Sequence, residues 1–111
     1  MIKTILYPHW REKIVYSNEG PQPQILLENE KVKLILAGLE PGQQIPEHAE
    51  AQAIYHFLAG DGWMTVDGKR MAVGPGATIV MPEGAVRGLE AETRLAFLAT
   101  RIFINLKRNR Q

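Results

Sequence analysis

Side chains that can offer a lone pair are concentrated in residues 47–59. If this stretch is an extended strand, every second side chain lies on the same face. Such a face would present an unusual number of groups able to contact a small molecule or ion. The stretch therefore predicts either a polar wall of a binding pocket or the solvent side of a half-buried sheet. The side chains on this face are those of His48, Glu50, Gln52, Ile54, His56 and Leu58.

Two further side chains could contribute to a binding site. Arg87 has a planar guanidinium that suits bidentate recognition of a carboxylate or phosphate, and its alternative role is that of a solvated surface arginine. Trp63 could form an apolar pocket wall, with core packing as the alternative. Ser17 is the only serine and lies in a loop far from these residues, which excludes a Ser-His-Asp hydrolase.

Short β-strands must position these side chains, because glycine and proline divide the chain throughout. Between positions 60 and 88, brief runs of Val, Ile, Met, Thr and Trp alternate with glycines. The Asp67-Gly68 pair predicts a type I′ turn. The pattern predicts an all-β antiparallel barrel or sandwich. Its expected strands include 63–66 paired with 69–73, 24–28 paired with 31–39 across Asn29-Glu30, a final buried strand within 94–106, and a separate first strand, Met1–Leu6.

Length and composition limit the classes of protein. The 111 residues are sufficient for a single domain, 1–111. The absence of cysteine excludes disulfides and thiolate metal sites. A net charge of +1 provides no broad field for nucleic acid or an anionic membrane, so neither is expected as a partner. No apolar run has the length of a signal or a membrane span, and a cytoplasmic location is expected.

Two spaced motifs resemble those of the cupins. The first runs from Gly42 through five residues to His48, one to Glu50, four to Tyr55 and six to Gly62. The second runs from Gly76 through five residues to Pro82, one to Gly84 and two to Arg87. The resemblance spans residues 36–97. It implies a small cupin-like antiparallel β-barrel, or double-stranded jelly roll, in which two histidines and a glutamate of the first motif and a histidine of the second hold a metal.

In this chain the resemblance implies a degenerate metal site. His48 matches the first histidine, whereas Glu50 and Arg87 replace the second and third. The glutamate position falls at Gln52, Ala53 or Tyr55, of which only Gln52 is a plausible weak ligand. Arginine has no lone pair for a metal, so an ion pair between Glu50 and Arg87 is expected in its place, and no cofactor is favoured. The alternative is Mn, Fe, Ni or Zn held by His48, Glu50 and Gln52, with His56 as a further candidate.

The leading functional prediction is a barrel that binds a small organic anion without a metal. Its pocket would contain His48, Glu50, Gln52, His56, Arg87 and Trp63. One alternative is a metal-dependent cupin oxygenase or isomerase. A second is a metal-free enzyme with His48 as general base and Arg87 as oxyanion partner. The resemblance also implies a homodimer. The N-terminal strand and loop, residues 1–16, would either pair with their own sheet or be exchanged between the subunits of that dimer.

Overall fold

Nine β-strands in two antiparallel sheets and one short helix make up residues 3–103, the part of the chain that the computed structural model describes. The larger sheet has the strand order β1-β2-β9-β4-β7, and the smaller has the order β3-β8-β5-β6. This architecture confirms the predicted all-β antiparallel jelly roll. The elements are α1 (Trp10–Lys13), β1 (Gln24–Glu28), β2 (Val32–Leu39), β3 (Gln44–Ala49), β4 (Gln52–Ala59), β5 (Gly62–Val66), β6 (Lys69–Val73), β7 (Thr78–Met81), β8 (Val86–Ala91) and β9 (Leu95–Ile102).

The hydrophobic core lies between the inward faces of the two sheets. Strand β9 is central in the larger sheet because it pairs with β2 on one side and with β4 on the other. An aromatic cluster fills its middle: the Tyr55 and Phe97 rings stack with centroids 5.5 Å apart, and Phe57 lies 5.8 Å from Phe97. Burying each phenylalanine contributes about 1.5–3 kcal/mol. The inward face of β9 continues from Phe97 through Ala99 to Arg101.

Local turn chemistry forms both predicted hairpins. Asp67 and Gly68 have φ values of 49° and 83°, which is the positive pair that a type I′ turn requires, and β5 pairs with β6 around them. In the β1–β2 connection, the Asn29 side-chain oxygen accepts hydrogen bonds from the backbone N–H groups of Lys31 and Val32. This turn fixes the start of β2.

The two ends of the chain differ in their agreement with the predictions. Lys3–Leu6 belongs to neither sheet of this chain, so these residues do not pair with their own sheet, and Ile5 and Leu6 are exposed. Pairing with the sheet of a neighbouring subunit stays a prediction. Met1 and Ile2 lie outside the described residues. Further along the chain, residues Trp10–Lys13 form the short helix α1. Tyr16 then packs against Gly38, where an added Cβ atom would lie 2.6 Å from the Tyr16 ring. The predicted last strand is observed as Leu95–Ile102, and positions 104–106 lie outside the described residues.

Helices that could cross a membrane are a separate question from the two sheets. Helix α1 has four residues. Within residues 3–103, no helix is long and apolar enough to cross a bilayer.

Candidate functional site

A buried arginine lies at the centre of the candidate site. Arg87 is on β8, where it pairs with His48 of β3 and, like Leu89 two residues later, faces the interior. Arg87 is 1% exposed. Its Nε donates to the carbonyl of Ala85 at 3.1 Å and its Nη2 to the backbone carbonyl of Glu50 at 3.2 Å, while Nη1 has no hydrogen-bond partner among residues 3–103. A permanent cation with an unfilled donor is thereby held inside the barrel.

His48 and Glu50 lie at the rim of the same site. The Nε2 atom of His48 lies 3.7 Å from Oε2 of Glu50, and Nδ1 of His48 lies 2.9 Å from the carbonyl of Pro46. The two side chains are 37% and 30% exposed, respectively. They therefore connect the buried guanidinium of Arg87 with solvent.

A second arginine borders this cluster, and the sequence analysis did not single it out. Arg101 of β9 pairs with Ala53 of β4, which lies in the core, so its side chain leaves the sheet on the inward side. Its Nε lies 4.0 Å from Oε1 of Glu50 and has no hydrogen-bond partner within the described chain. The signal was the alternation along the predicted last strand, in which Arg101 occupies the same face as Phe97 and Ala99.

Tyr55 connects the polar cluster to the aromatic core. Burial raises the pKa of its phenol above the ordinary value of 10.0, whereas the positive charges of Arg101 and Arg87 act in the opposite direction. The Glu50 carboxylate also acts on this group and raises its pKa. Both arginines and Glu50 therefore act electrostatically on one buried hydroxyl, which stays protonated at neutral pH.

The predicted continuous polar face of residues 47–59 is wrong beyond Glu50. Strand β3 ends at Ala49 in one sheet and β4 begins at Gln52 in the other, so the alternation shifts by one residue between them. Tyr55 of β4 consequently faces the core, and Gln52 and His56 lie on the outer face. His56 is exposed, and its Nδ1 lies 2.8 Å from the Thr78 hydroxyl. Neither Gln52 nor His56 joins the cluster around Arg87.

Trp63 is also outside the barrel interior. Its neighbour Met64 is fully buried, so the Trp63 ring leaves β5 on the opposite, outer side. There the Arg70 guanidinium lies 3.8 Å from the ring centroid. Trp63 lines a groove of about 290 Å³ on the outer surface of the smaller sheet, next to Thr65 and Glu90. The prediction that it forms a wall of the barrel pocket is therefore wrong.

The expected ion pair between Glu50 and Arg87 is replaced by a different arrangement. Arg87 contacts the backbone carbonyl of Glu50, and within residues 3–103 the Glu50 carboxylate is within 4.0 Å of His48 and Arg101 instead. The physical reason is that Glu50 follows the end of β3, where the chain bends between sheets and turns its carbonyl toward β8.

Comparison with known proteins identifies the family. The sequence model described as "Cupin domain" matches residues 35–101, more than half of the chain. The chain belongs to the cupin family. No curated protein matches this cupin.

Solved structures show the same fold at low sequence identity. This cupin is similar to a conserved protein of unknown function from Streptococcus pyogenes, with a TM-score of 0.82, 22% identity and coverage of 94% of this chain and 92% of the other. A cupin superfamily protein from Desulfitobacterium hafniense gives a TM-score of 0.81 at 15% identity, covering 94% and 95%. A salicylate 1,2-dioxygenase mutant from Pseudoaminobacter salicylatoxidans gives a TM-score of 0.70 at 15% identity, and the match covers 77% of this cupin and 27% of the dioxygenase chain.

The donor set at the family's metal position does not suit a metal. His48 and Glu50 can each offer one ligand, but the second-motif position holds the guanidinium of Arg87, which has no lone pair and carries a positive charge. Gln52, the weak ligand considered for the glutamate position, lies on the outer face, and the inward residue is Tyr55. Within residues 3–103, no group of three or more His, Cys, Asp or Glu side chains is close enough to hold a metal ion. These residues do not fit the family's metal site.

Proposed function

We propose that this cupin binds a small organic anion at the cluster formed by His48, Glu50, Arg87 and Arg101, without a metal. The observation that carries the proposal is the burial of Arg87, which is 1% exposed and whose Nη1 has no partner among the described residues. A buried, unfilled donor on a permanent cation is unfavourable unless an acceptor occupies it. An anionic ligand supplies that acceptor.

The charges of the cluster favour an anion over a cation or a neutral molecule. Two guanidinium groups border one carboxylate, so the cluster is positive when the imidazole of His48 is neutral. Charge interactions are stronger inside a protein than in water because the effective dielectric constant is lower. The protein as a whole carries only +1, so the attraction is local to this site.

Titration calorimetry with matched ligands tests this proposal. Acetate and propionate are expected to bind, whereas the neutral amides of the same shape, acetamide and propionamide, are expected to bind at least about tenfold more weakly because they lack the charge. Replacing Arg101 with glutamine should weaken propionate binding about tenfold. The matched control is Arg94→Gln, because Arg94 is exposed and already paired in two hydrogen bonds with Glu40. Equal binding of acid and amide, or equal effects of the two arginine variants, would contradict the proposal.

The metal content of the same samples separates this proposal from a metal-dependent cupin enzyme. After incubation with Mn, Fe, Ni and Zn and thorough desalting, elemental analysis is expected to find far less than one metal per chain, in wild type and in His48→Ala alike. The reason is the poor donor set around Arg87. Near-stoichiometric metal that is lost in His48→Ala would replace anion binding with metal-dependent chemistry.

We also propose that two copies of this cupin associate through the outer face of the larger sheet. On that face Val80 pairs with Ile54, and Leu34 lies in the same cross-strand row on the other side of Thr100; Val80 is 67% exposed. Exposed apolar surface of this kind is typical of interfaces. Light scattering after gel filtration should give a dimer mass for the wild type and for Val86→Asp, on the smaller sheet, and a monomer mass for Val80→Asp. A dimer in both variants, or a monomeric wild type, would refute this interface.

A further inference from the structure

We infer that the anion is a 2-hydroxycarboxylate. Its carboxylate accepts hydrogen bonds from the arginines, and its hydroxyl donates a hydrogen bond to the acceptor pair of His48 and Glu50. This inference rests on the proposed anion-binding function and adds the chemical class of the ligand. It follows from matching the unfilled donors and acceptors of the cluster to the groups that would complete them.

The acceptor half of the cluster is defined by the orientation of His48. A carbonyl oxygen can only accept a hydrogen bond, so the 2.9 Å contact between Nδ1 of His48 and the carbonyl of Pro46 places the proton of the neutral ring on Nδ1. Its Nε2 then carries a lone pair, and it lies 3.7 Å from Oε2 of Glu50. Two acceptors at this distance cannot hydrogen-bond to each other, so a donor placed between or beside them is needed to satisfy both. A ligand hydroxyl provides one.

The donor half of the cluster lies at the other carboxylate oxygen and at the backbone carbonyl of Glu50. Nη1 of Arg87 and Nε of Arg101 are the two buried side-chain nitrogens without a partner among residues 3–103. Both residues border Glu50, Arg87 through its backbone carbonyl at 3.2 Å and Arg101 through its carboxylate at 4.0 Å. Donors and acceptors therefore surround a single residue. A ligand that bears its anionic group and its hydroxyl on adjacent carbons places both groups beside that residue.

Charge balance distinguishes a hydroxy acid from related small molecules. Two guanidiniums and one carboxylate leave one positive charge, which a monoanion neutralises. A 2-amino acid is a zwitterion at neutral pH, so it brings no net charge to the site. A plain carboxylate neutralises the charge but leaves the acceptors of His48 and Glu50 without a donor.

A ligand series tests the inference on the intact wild-type protein. Each enantiomer of lactate is compared by calorimetry with propionate, with 2-methoxypropionate, which keeps the oxygen but has no donor, and with alanine. The preferred enantiomer of lactate is expected to bind about tenfold more tightly than propionate, 2-methoxypropionate or alanine. The reason is that its hydroxyl donates a hydrogen bond to the charged carboxylate of Glu50.

A variant of Glu50 tests the partner of the ligand hydroxyl. In Glu50→Gln the preference for lactate over propionate should fall below about threefold, because the charged acceptor is lost. Propionate itself should bind at least as tightly as in the wild type, because the competing carboxylate is gone. The methoxy ligand keeps the inference testable if Glu50→Gln does not fold.

The outcomes separate this inference from the function on which it rests. If the wild type binds lactate, propionate and 2-methoxypropionate equally, the hydroxyl assignment is wrong, and the anion site stands. If Glu50→Gln folds and keeps the full preference for lactate, Glu50 is not its partner and the inference fails. Tighter binding of alanine would also overturn it, in favour of an amino acid. If none of these compounds binds, both the anion site and its ligand class are refuted.

Discussion

Replacing Arg87 with methionine is expected to weaken the binding of propionate or lactate about 100-fold while leaving the protein folded. Removing one buried member of a charge pair typically costs about 2–5 kcal/mol of binding free energy, or about 30- to 4000-fold. Arg87 is the most buried cation of the cluster, so its attraction for an anion is the least screened by water. Calorimetric titration of the variant with each ligand measures this effect.

The same substitution is expected to preserve the stability of the fold, because methionine fills a similar volume without a buried charge. The backbone carbonyl of Glu50 loses the Arg87 Nη2 donor but keeps the N–H of Gly84 at 2.8 Å. The free energy of unfolding should therefore lie within about 1 kcal/mol of the wild-type value or above it. Urea unfolding measures it.

Arg87→Lys provides a second variant with the charge retained. A lysine has no planar fork to reach both backbone carbonyls, so its ammonium is held less firmly, and an intermediate loss of about tenfold in affinity is expected. If either folded Arg87 variant binds anions as tightly as the wild type, Arg87 is not part of a ligand site. Its burial would then be a feature of the fold alone.

Replacing Gly60 with alanine is expected to reduce the free energy of unfolding by at least about 4 kcal/mol. Gly60 lies between β4 and β5 with a φ of +82°, and a Cβ atom there would lie 1.8 Å from the carbonyl oxygen of Arg94. That oxygen belongs to the backbone just before β9, so it cannot move without displacing the central strand. The turn is also tied to this region by the backbone N–H groups of Glu92 and Thr93, which donate to the carbonyl of Asp61.

Gly42→Ala is the matched control for Gly60→Ala. Gly42 has a similar φ of +85°, but apart from Gly42 and its two chain neighbours no heavy atom of residues 3–103 lies within 4 Å of the position of its Cβ. This variant therefore isolates the cost of the left-handed backbone, about 1 kcal/mol. Urea unfolding of both variants measures the difference. Equal losses of about 1 kcal/mol would show that the close approach of the backbones at Gly60 does not govern stability.

Local chemistry explains which parts of the fold could be predicted. The Asp67-Gly68 turn requires only the conformational freedom of two adjacent residues, and the β5–β6 hairpin follows from it. The pairing of β1 with β2 is similarly local. Lys3–Leu6 forms no strand in this chain because β-prone residues form a strand only where a partner edge is available, and within residues 3–103 this segment has none. The predicted exchange of this segment between subunits would supply such an edge.

Some residues of the candidate site could likewise be predicted from the sequence, and others could not. The motif spacing identified His48 and Arg87, and the antiparallel pairing of β3 with β8 makes them direct neighbours. The predicted alternation along residues 47–59 misplaced Gln52 and His56, because alternation of side chains holds only within one strand and the chain changes sheets after Glu50. Trp63 was misplaced because nothing in an isolated strand distinguishes its inward face from its outward face.

The amino-acid sequence by itself thus determined the β-strands, the principal turns, the jelly-roll family and three of the four residues at the centre of the cluster. Only the tertiary structure decided that Arg101 completes it, that Glu50 interacts with Arg101 and His48 through its carboxylate, and that Arg87 keeps a donor without a partner among residues 3–103. The physical reason is that strand formation depends on neighbours along the chain, whereas the site depends on where residues distant in sequence meet. Residues 48–50, 87 and 101 come from three strands or their ends, and their contacts exist only once the two sheets have closed on each other.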